Sequence, residues 1–194
     1  MFITEIVTRD GMAKAKTGSF YLTETIGLPA ASAAGTRSQG VIDLGAYVNV
    51  PTGQAIAIDS VDFIYQDGSD YSSSANLMLA ANGAITVQLT DLNPGTVFVQ
   101  ADDHSLIASG SLNIDQANNV ATHVSDLYPD NFGPTTLSEA FMVVNDSLYL
   151  VAGNDAADIA GSAVYVTARV RCRVVKLGTK DWMAIAIQST AADN

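Results

Sequence analysis

Three arginines at alternating positions give the clearest indication of binding chemistry in this sequence. In the segment VYVTARVRCRVVKLG, residues 164–178, Arg169, Arg171 and Arg173 stand two positions apart. On a β-strand such residues project from one face at intervals of about 6.5–7 Å, so the three guanidinium groups would form a row about 13 Å long. Guanidinium groups bind phosphates and carboxylates through paired hydrogen bonds. The spacing predicts either a row that binds a partner's anionic groups or a solvated strand face paired with aspartates of its own sheet.

Acidic clusters suggest catalysis or metal binding less strongly. The pair Asp102-Asp103 could serve as general acid and base, and Asp155 with Asp158 in GNDAAD could offer oxygen ligands to calcium. Aspartates are frequent throughout the chain, however, and solvated loop residues explain these clusters more simply. No GxSxG, Walker, HExxH or GxGxxG motif is present. We therefore predict that the chain is not an enzyme and has neither catalytic residues nor a cofactor.

The cysteine and the two histidines do not have the pattern of a metal site. His104 and His123 are far apart in the sequence, and a structural zinc site needs four ligands of this kind. Cys172 lies among the apolar residues of the alternating segment, which predicts a small buried hydrophobic side chain rather than a reactive thiol. A single cysteine also cannot form an intrachain disulfide. The sequence predicts no bound metal.

Positive charge is confined to the two ends of the chain. The chain has 194 residues and a net charge of −11. Residues 38–168 contain 15 acidic residues and neither Lys nor Arg. Such a body repels other copies except where basic ends bridge them, and it repels the phosphate backbone of a nucleic acid. We therefore predict contacts between copies and no direct nucleic-acid binding. The residues predicted to contact a subunit or partner are Arg9, Lys14, Lys16, Arg37, Arg169, Arg171, Arg173 and Lys176.

Short strands are the elements that would position these residues. From residue 41 onward, apolar and polar residues alternate in short segments separated by Gly, Asn, Asp and Pro. The alternation changes phase at Asp59-Ser60, which predicts a β-bulge or a strand break. Asn82-Gly83 predicts a hairpin turn, and TVFVQA (96–101) and DWMAIAIQ (181–188) are predicted as short strands. Eight or nine strands without a convincing amphipathic helix predict a β-sandwich or closed barrel.

An irregular arm of small residues, short strands with Asp- and Asn-rich loops and the basic strand near the C-terminus occur together in this chain. In this pattern the sequence resembles the single jelly-roll major capsid proteins of tailless icosahedral viruses of archaea and bacteria. The resemblance covers residues 41–188. It implies a structural protein of the virion, many copies of which associate laterally into an icosahedral shell while the terminal arms reach neighbours or the interior. Many relatives enclose an internal membrane and some have a second capsid protein, and the sequence does not choose between these partners.

The resemblance also sets the predicted domain organisation. Residues 1–40 are interpreted as an extended N-terminal arm with a short strand at 19–25, residues 41–188 as the jelly-roll domain and residues 189–194 as a C-terminal tail. The arm is not strongly basic, unlike that of genome-binding capsid proteins. We find no signal-peptide pattern and no apolar run long enough to span a membrane, which predicts synthesis in the host cytoplasm.

Two other functions stay open on the sequence alone. An extracellular or virion-surface binding module, such as a fibre, adhesin or decoration domain, would have a sandwich fold and form a small discrete oligomer. An enzyme on a jelly-roll scaffold, such as a cupin or a glycosidase, would need a catalytic site. Cupins usually hold a metal with a histidine cluster, and the two histidines here do not show that pattern.

Overall fold

The computed structural model describes residues 13–68, 74–125 and 140–190. Ten strands and one helix lie within these ranges. In chain order they are β1 (Lys14–Ala15), β2 (Phe20–Leu28), β3 (Arg37–Asp43), β4 (Gln54–Asp67), β5 (Gly83–Thr90), β6 (Leu106–Asp115), β7 (Val120–Ser125), β8 (Phe141–Val143), β9 (Ser147–Asp155), β10 (Val164–Lys176) and α1 (Thr179–Thr190). The helix α1, at 12 residues, is too short to cross a bilayer, and no other helix in the described ranges is long and apolar enough to do so.

The strands form two antiparallel five-stranded sheets. In sheet A the order is β8-β4-β10, and β2 and β1 both pair with the other edge of β10. In sheet B the order is β3-β9-β5-β6-β7. Without the added strands β1 and β7, the order is β2-β10-β4-β8 facing β3-β9-β5-β6, and the chain passes repeatedly between the two sheets. This is the jelly-roll arrangement, so the predicted fold class is confirmed.

The core lies between the sheets and follows from the alternation in the sequence. On β10, Val166, Ala168, Val170 and Cys172 are fully buried, as predicted, while the residues between them point to the outer face of sheet A. Branched apolar residues from β4, β5 and β9 meet them from both sheets. Each large side chain buried in this way contributes about 1.5–3 kcal/mol, so the sandwich needs no disulfide.

The predicted irregularity at Asp59-Ser60 is a β-bulge. Arg171 on β10 pairs with Ser60 and the next residue, Cys172, pairs with Ile58, so Asp59 is the extra residue of β4. The bulge changes the phase of β4 and turns Asp59 and Ser60 to the same side, the outer face of sheet A. The strand therefore continues through this point without a break.

The structure corrects the interpretation of residues 13–40 as largely irregular. The strand expected at 19–25 is the longer β2, which pairs along its length with β10, and β3 begins at Arg37. The predicted division of the chain at residue 40 stays a prediction. A truncation at that residue would nevertheless remove β1 and β2 of sheet A and the first part of β3.

Three local predictions are wrong. Asn82-Gly83 does not form a hairpin, because residues 75–77 form a short 3-10 turn and β5 pairs instead with β6 and β9. Residues 96–101 form no strand. Instead, the side-chain amide of Gln88 binds the backbone of Val99: its Nε2 donates to the carbonyl of Val99, and its Oε1 accepts from the N–H of Val99. The segment predicted as a last strand lies in α1, because six consecutive apolar residues fit either type of element.

Each sheet has a partial cover on its outer face. Trp182, Ile185 and Ala186 of α1 pack on a second apolar cluster formed by the outer face of sheet A, with Ala57 and Val175 at its centre. Residues 91–105 run beside the outer face of sheet B, where Gln39 on β3 donates to the carbonyl of Gly95. The helix leaves the middle of the outer face of β10 uncovered within the described residues.

Replacing Gly83 by Ala tests the packing at the start of β5. A Cβ at this position would lie 2.5 Å from the carbonyl oxygen of Asp155 on β9, so the variant must move one strand away from the other. We expect the free energy of unfolding in urea to fall by about 1–3 kcal/mol. The matched control is Gly161→Ala, where an added Cβ meets nothing within 4 Å. Equal stabilities of the two variants would contradict this packing.

Candidate subunit interface

The three arginines project from the outer face of sheet A at the centre of that sheet. Strand β10 lies between β4 on one side and β2 with β1 on the other, so each arginine has neighbours on both sides. Arg173 lies nearest to α1, and Arg171 and Arg169 follow along the uncovered part of the strand. The three guanidinium groups have three different environments.

Arg173 is neutralised within the subunit. Its Nη2 lies 2.5 Å from Oδ1 of Asp59, the bulge residue, and the Asp59 side chain is only 4% exposed. The hydroxyl of Ser19 donates to the other carboxylate oxygen of Asp59 at 3.2 Å. Removing one partner of such a buried pair costs about 3–5 kcal/mol, because the other charge stays buried without compensation. For Arg173 the geometry agrees with the interpretation of pairing to an aspartate of the same sheet.

Arg169 stacks on an aromatic ring. Its guanidinium carbon lies 4.8 Å from the ring centroid of Tyr21 on β2. Tyr21 is half exposed, and the residue opposite Arg169 on β4 is Asp62. A cation–π contact at an exposed site is worth about 0.5–1 kcal/mol, so it orients the guanidinium without removing its charge.

Arg171 lies between the other two and has no neutralising partner within the described residues. Its neighbours across the strands are Ser60 on β4 and Tyr21 on β2. Its Nε is buried without a hydrogen-bond partner there, while the side chain as a whole is half-buried. The two ion pairs found in the described ranges belong to Arg173 and Arg37. Arg171 is therefore the guanidinium of the row that best fits an acidic group from outside the subunit.

Lysines gather where β10 ends. Lys14 on β1 stands directly opposite Lys176 on β10, and Lys16 donates to the side-chain carbonyl of Gln54 at 3.0 Å. The exposed Lys180, which the sequence analysis did not select, lies four residues beyond Lys176. Like charges placed directly opposite each other destabilise a strand pair, so an anionic neighbour here would be favourable.

Arg37 is not brought together with the row. It lies on β3 in sheet B, where its Nη2 is 2.5 Å from Oδ1 of Asp155 and its guanidinium carbon is 4.5 Å from the ring centroid of Phe98. Its charge is thus paired within the subunit. Arg9 falls outside the described residues, and its contact with a partner stays a prediction.

The aspartates considered for calcium have other partners. Asp155 pairs with Arg37, and Oδ1 of Asp158 accepts the backbone N–H of Ala34 at 2.8 Å. Within the described residues no three His, Cys, Asp or Glu side chains come together in a way that could hold a metal ion.

His123 on β7 packs edge-on against Tyr65 on β4, and this contact joins the two sheets.

Cys172 is a buried part of the core, as predicted. Burial, and secondarily the negative charge of Asp59, raise the pKa of its thiol to about 12. A thiol with this pKa remains protonated near neutral pH and is a poor nucleophile.

Sequence reasoning missed Tyr21 and Asp59 as members of this site. Tyr21 falls in the short strand predicted at 19–25, but nothing in the pattern indicated that this strand pairs with β10. Asp59 did have a signal, because the change of phase marked the bulge that turns its carboxylate towards Arg173.

Comparisons with known proteins give no family assignment. No protein-family model and no curated protein matches the sequence. Among solved structures, one titled Desmodium yellow mottle tymovirus matches with a TM-score of 0.32 and 8% identity, over 84% of this chain and 90% of that chain. VP1 of the Trichodysplasia spinulosa-associated polyomavirus matches with a TM-score of 0.38 and 11% identity, over 84% of this chain and 98% of that one.

A third structure, dimeric latent PorU from Porphyromonas gingivalis, matches with a TM-score of 0.29 and 11% identity, over 84% of this chain and 14% of that chain. Similarities this low do not decide function. The jelly-roll assignment therefore rests on the strand order of the chain itself.

The raised thiol pKa of Cys172 predicts a loss of stability at alkaline pH. The unfolded thiol titrates near pH 8.5 and the folded one near 12, so the unfolded chain loses its proton first as the pH rises. We expect the thiol's contribution to the free energy of unfolding to decrease from about pH 8.5 upward. The measurement is urea unfolding from pH 7 to 10 of the wild type and of Cys172→Ala.

The Cys172→Ala variant is the control, because it keeps every other titrating group. Its free energy of unfolding should fall less steeply over this range. In the native wild type at pH 8, a thiol reagent should label Cys172 only as fast as the protein unfolds. Equal pH slopes together with rapid native labelling would contradict the buried, raised-pKa thiol.

Proposed function

We propose that the chain is the structural subunit of a viral shell, in which many copies associate laterally through the outer face of sheet A. The observation that carries this proposal is the half-buried Arg171 guanidinium, which has no acidic partner within the described residues. Beside it stand Arg169 and the half-exposed Tyr21. The same chain has an acidic body, residues 38–168, that could supply the missing carboxylates.

The physical reason is the distribution of charge. A net charge of −11 keeps free subunits apart in solution, and contacts that place an arginine face against a neighbour's carboxylates remove this repulsion locally. Arginine and tyrosine are also the residues most enriched among the energetically important positions of interfaces. Burial and the Tyr21 ring already restrict the side chains of Arg171 and Arg169, so binding costs them less conformational entropy.

The fold is compatible with this function but does not establish it, because jelly rolls also occur in lectins and cupins. The resemblance of the basic C-terminal strand to that of single jelly-roll capsid proteins favours the shell. In our proposal the shell is icosahedral, its place is the virion, and Arg9, Lys14, Lys16 and Lys176 add further contacts. A second capsid protein or an internal membrane would be additional partners.

The substitution Arg171→Glu tests the proposal. We expect the variant to stay folded, because Arg171 has no ion pair within the described subunit, and to need at least about tenfold more protein for assembly. The measurement is the size distribution by light scattering and sedimentation velocity, at salt concentrations from low to molar. Because charge contacts are screened, wild-type assembly should depend on salt.

The control for this test is the double substitution Ser111→Asp with Asn113→Asp on β6. It changes the net charge by the same two units, but on the outer face of sheet B. We expect it to assemble like the wild type. Normal assembly of Arg171→Glu would refute the contact, and a wild type that stays a monomer or small oligomer at every salt concentration would favour a fibre, adhesin or decoration module.

A further inference from the structure

Helix α1 has apolar residues on all sides, including the side that faces away from the sheet. Residues 182–187 read WMAIAI. Trp182 and Ile185 pack on the outer cluster of sheet A, whereas Met183 is 55% and Ile187 64% exposed. These two exposed residues stand four positions apart and therefore lie on one side of the helix. A helix that is hydrophobic all round is normally covered on every face.

A concave site adjoins the helix. An open cleft of about 690 Å³ lies between the first turn of α1, the end of β10 and the 3-10 turn Val50–Thr52. Val50, 56% exposed, adds a further exposed apolar side chain to the lining. The walls are fixed to each other, because the N–H of Leu177 donates to the carbonyl of Gly53 at 2.8 Å. The cleft is thus a feature of the fold rather than a gap between loose loops.

The surroundings of the cleft are basic. Lys16 and Lys176 line it, Lys14 stands opposite Lys176 on the neighbouring strand, and Lys180 follows in the first turn of α1. None of these four lysines forms an ion pair within the described residues, and Asp181 is the acidic residue of the helix. The cleft therefore combines an apolar lining with uncompensated positive charge.

From these observations we infer that the cleft beside α1 is a second contact between copies, which accepts a protruding acidic segment from the base-free body, residues 38–168, of another copy. Complementary charge favours this occupant, because the body of the same protein carries acidic residues and no bases. An anionic membrane is the less suitable partner. The site is concave rather than flat, and the acidic body would be repelled by a negatively charged bilayer.

This inference rests on the proposed function, since both require that copies associate. The two contacts are nevertheless distinct: one uses Arg171 on the uncovered part of sheet A, and the other uses the far side of α1. A change confined to the helix can therefore separate them.

The test is Met183→Asp, which changes an exposed residue of the cleft lining, alone and together with Lys180→Glu. Both side chains are exposed, so the variants should unfold in urea like the wild type. We expect the protein concentration at half-maximal assembly to rise about tenfold or more for Met183→Asp and further for the double variant. The matched control is Val97→Asp, because Val97 is 65% exposed and lies in the loop beside sheet B. The control should assemble like the wild type.

A parallel arm measures flotation with vesicles of phosphatidylglycerol and phosphatidylcholine in a 3:7 ratio, and we expect no binding. If Met183→Asp assembles normally under conditions in which the wild type forms particles, this inference is overturned and the proposed function is left standing. An equal loss of assembly in Val97→Asp would overturn the inference as well, because the effect would not be specific to the cleft. Vesicle binding that is lost in Met183→Asp would show that a lipid surface is the partner. A wild type that never assembles would overturn both proposals.

Discussion

The buried ion pair between Asp59 and Arg173 is the interaction on which the arrangement of the basic face depends. One extra residue in β4 turns a carboxylate to the outer side of sheet A, and the guanidinium of Arg173 and the hydroxyl of Ser19 satisfy it. A carboxylate buried at this depth would be costly without these partners. The pair also ties together β4, β10 and the residue before β2, the three segments that carry the uncovered face.

The same pair divides the arginine row into two parts. Arg173 has its partner in Asp59, whereas Arg171 and Arg169 form no ion pair with any residue that the structure describes and are oriented by neighbouring strands and by Tyr21. The interpretation as pairing within the sheet applies to Arg173. Binding to a partner's anionic groups is our proposal for Arg171 and Arg169. This division explains how an acidic protein can carry a guanidinium row without neutralising all of it internally.

Much of the fold could be predicted because period-two alternation directly reports which face of a strand is buried. It identified the buried side of β10, the place of Cys172 in the core and the bulge at Asp59. Helix α1 could not be recognised, because a short run of apolar residues fits a strand or a helix and its packing on the outside of sheet A is a tertiary effect. Tyr21 was missed for a similar reason, since a strand was predicted at 19–25 but its pairing with β10 is a tertiary contact that the alternation does not report.

In our proposal, the face formed by Tyr21, Arg169 and Arg171 meets another copy of the chain. The most direct measurement is photo-cross-linking from p-benzoylphenylalanine placed at position 21, which is half exposed, in the assembled protein and in subunits kept apart by molar salt. If this face is a contact between copies, cross-links between copies should map to the acidic body, residues 38–168, and disappear in the dispersed sample. Assembled particles with cross-links only inside single subunits would contradict it.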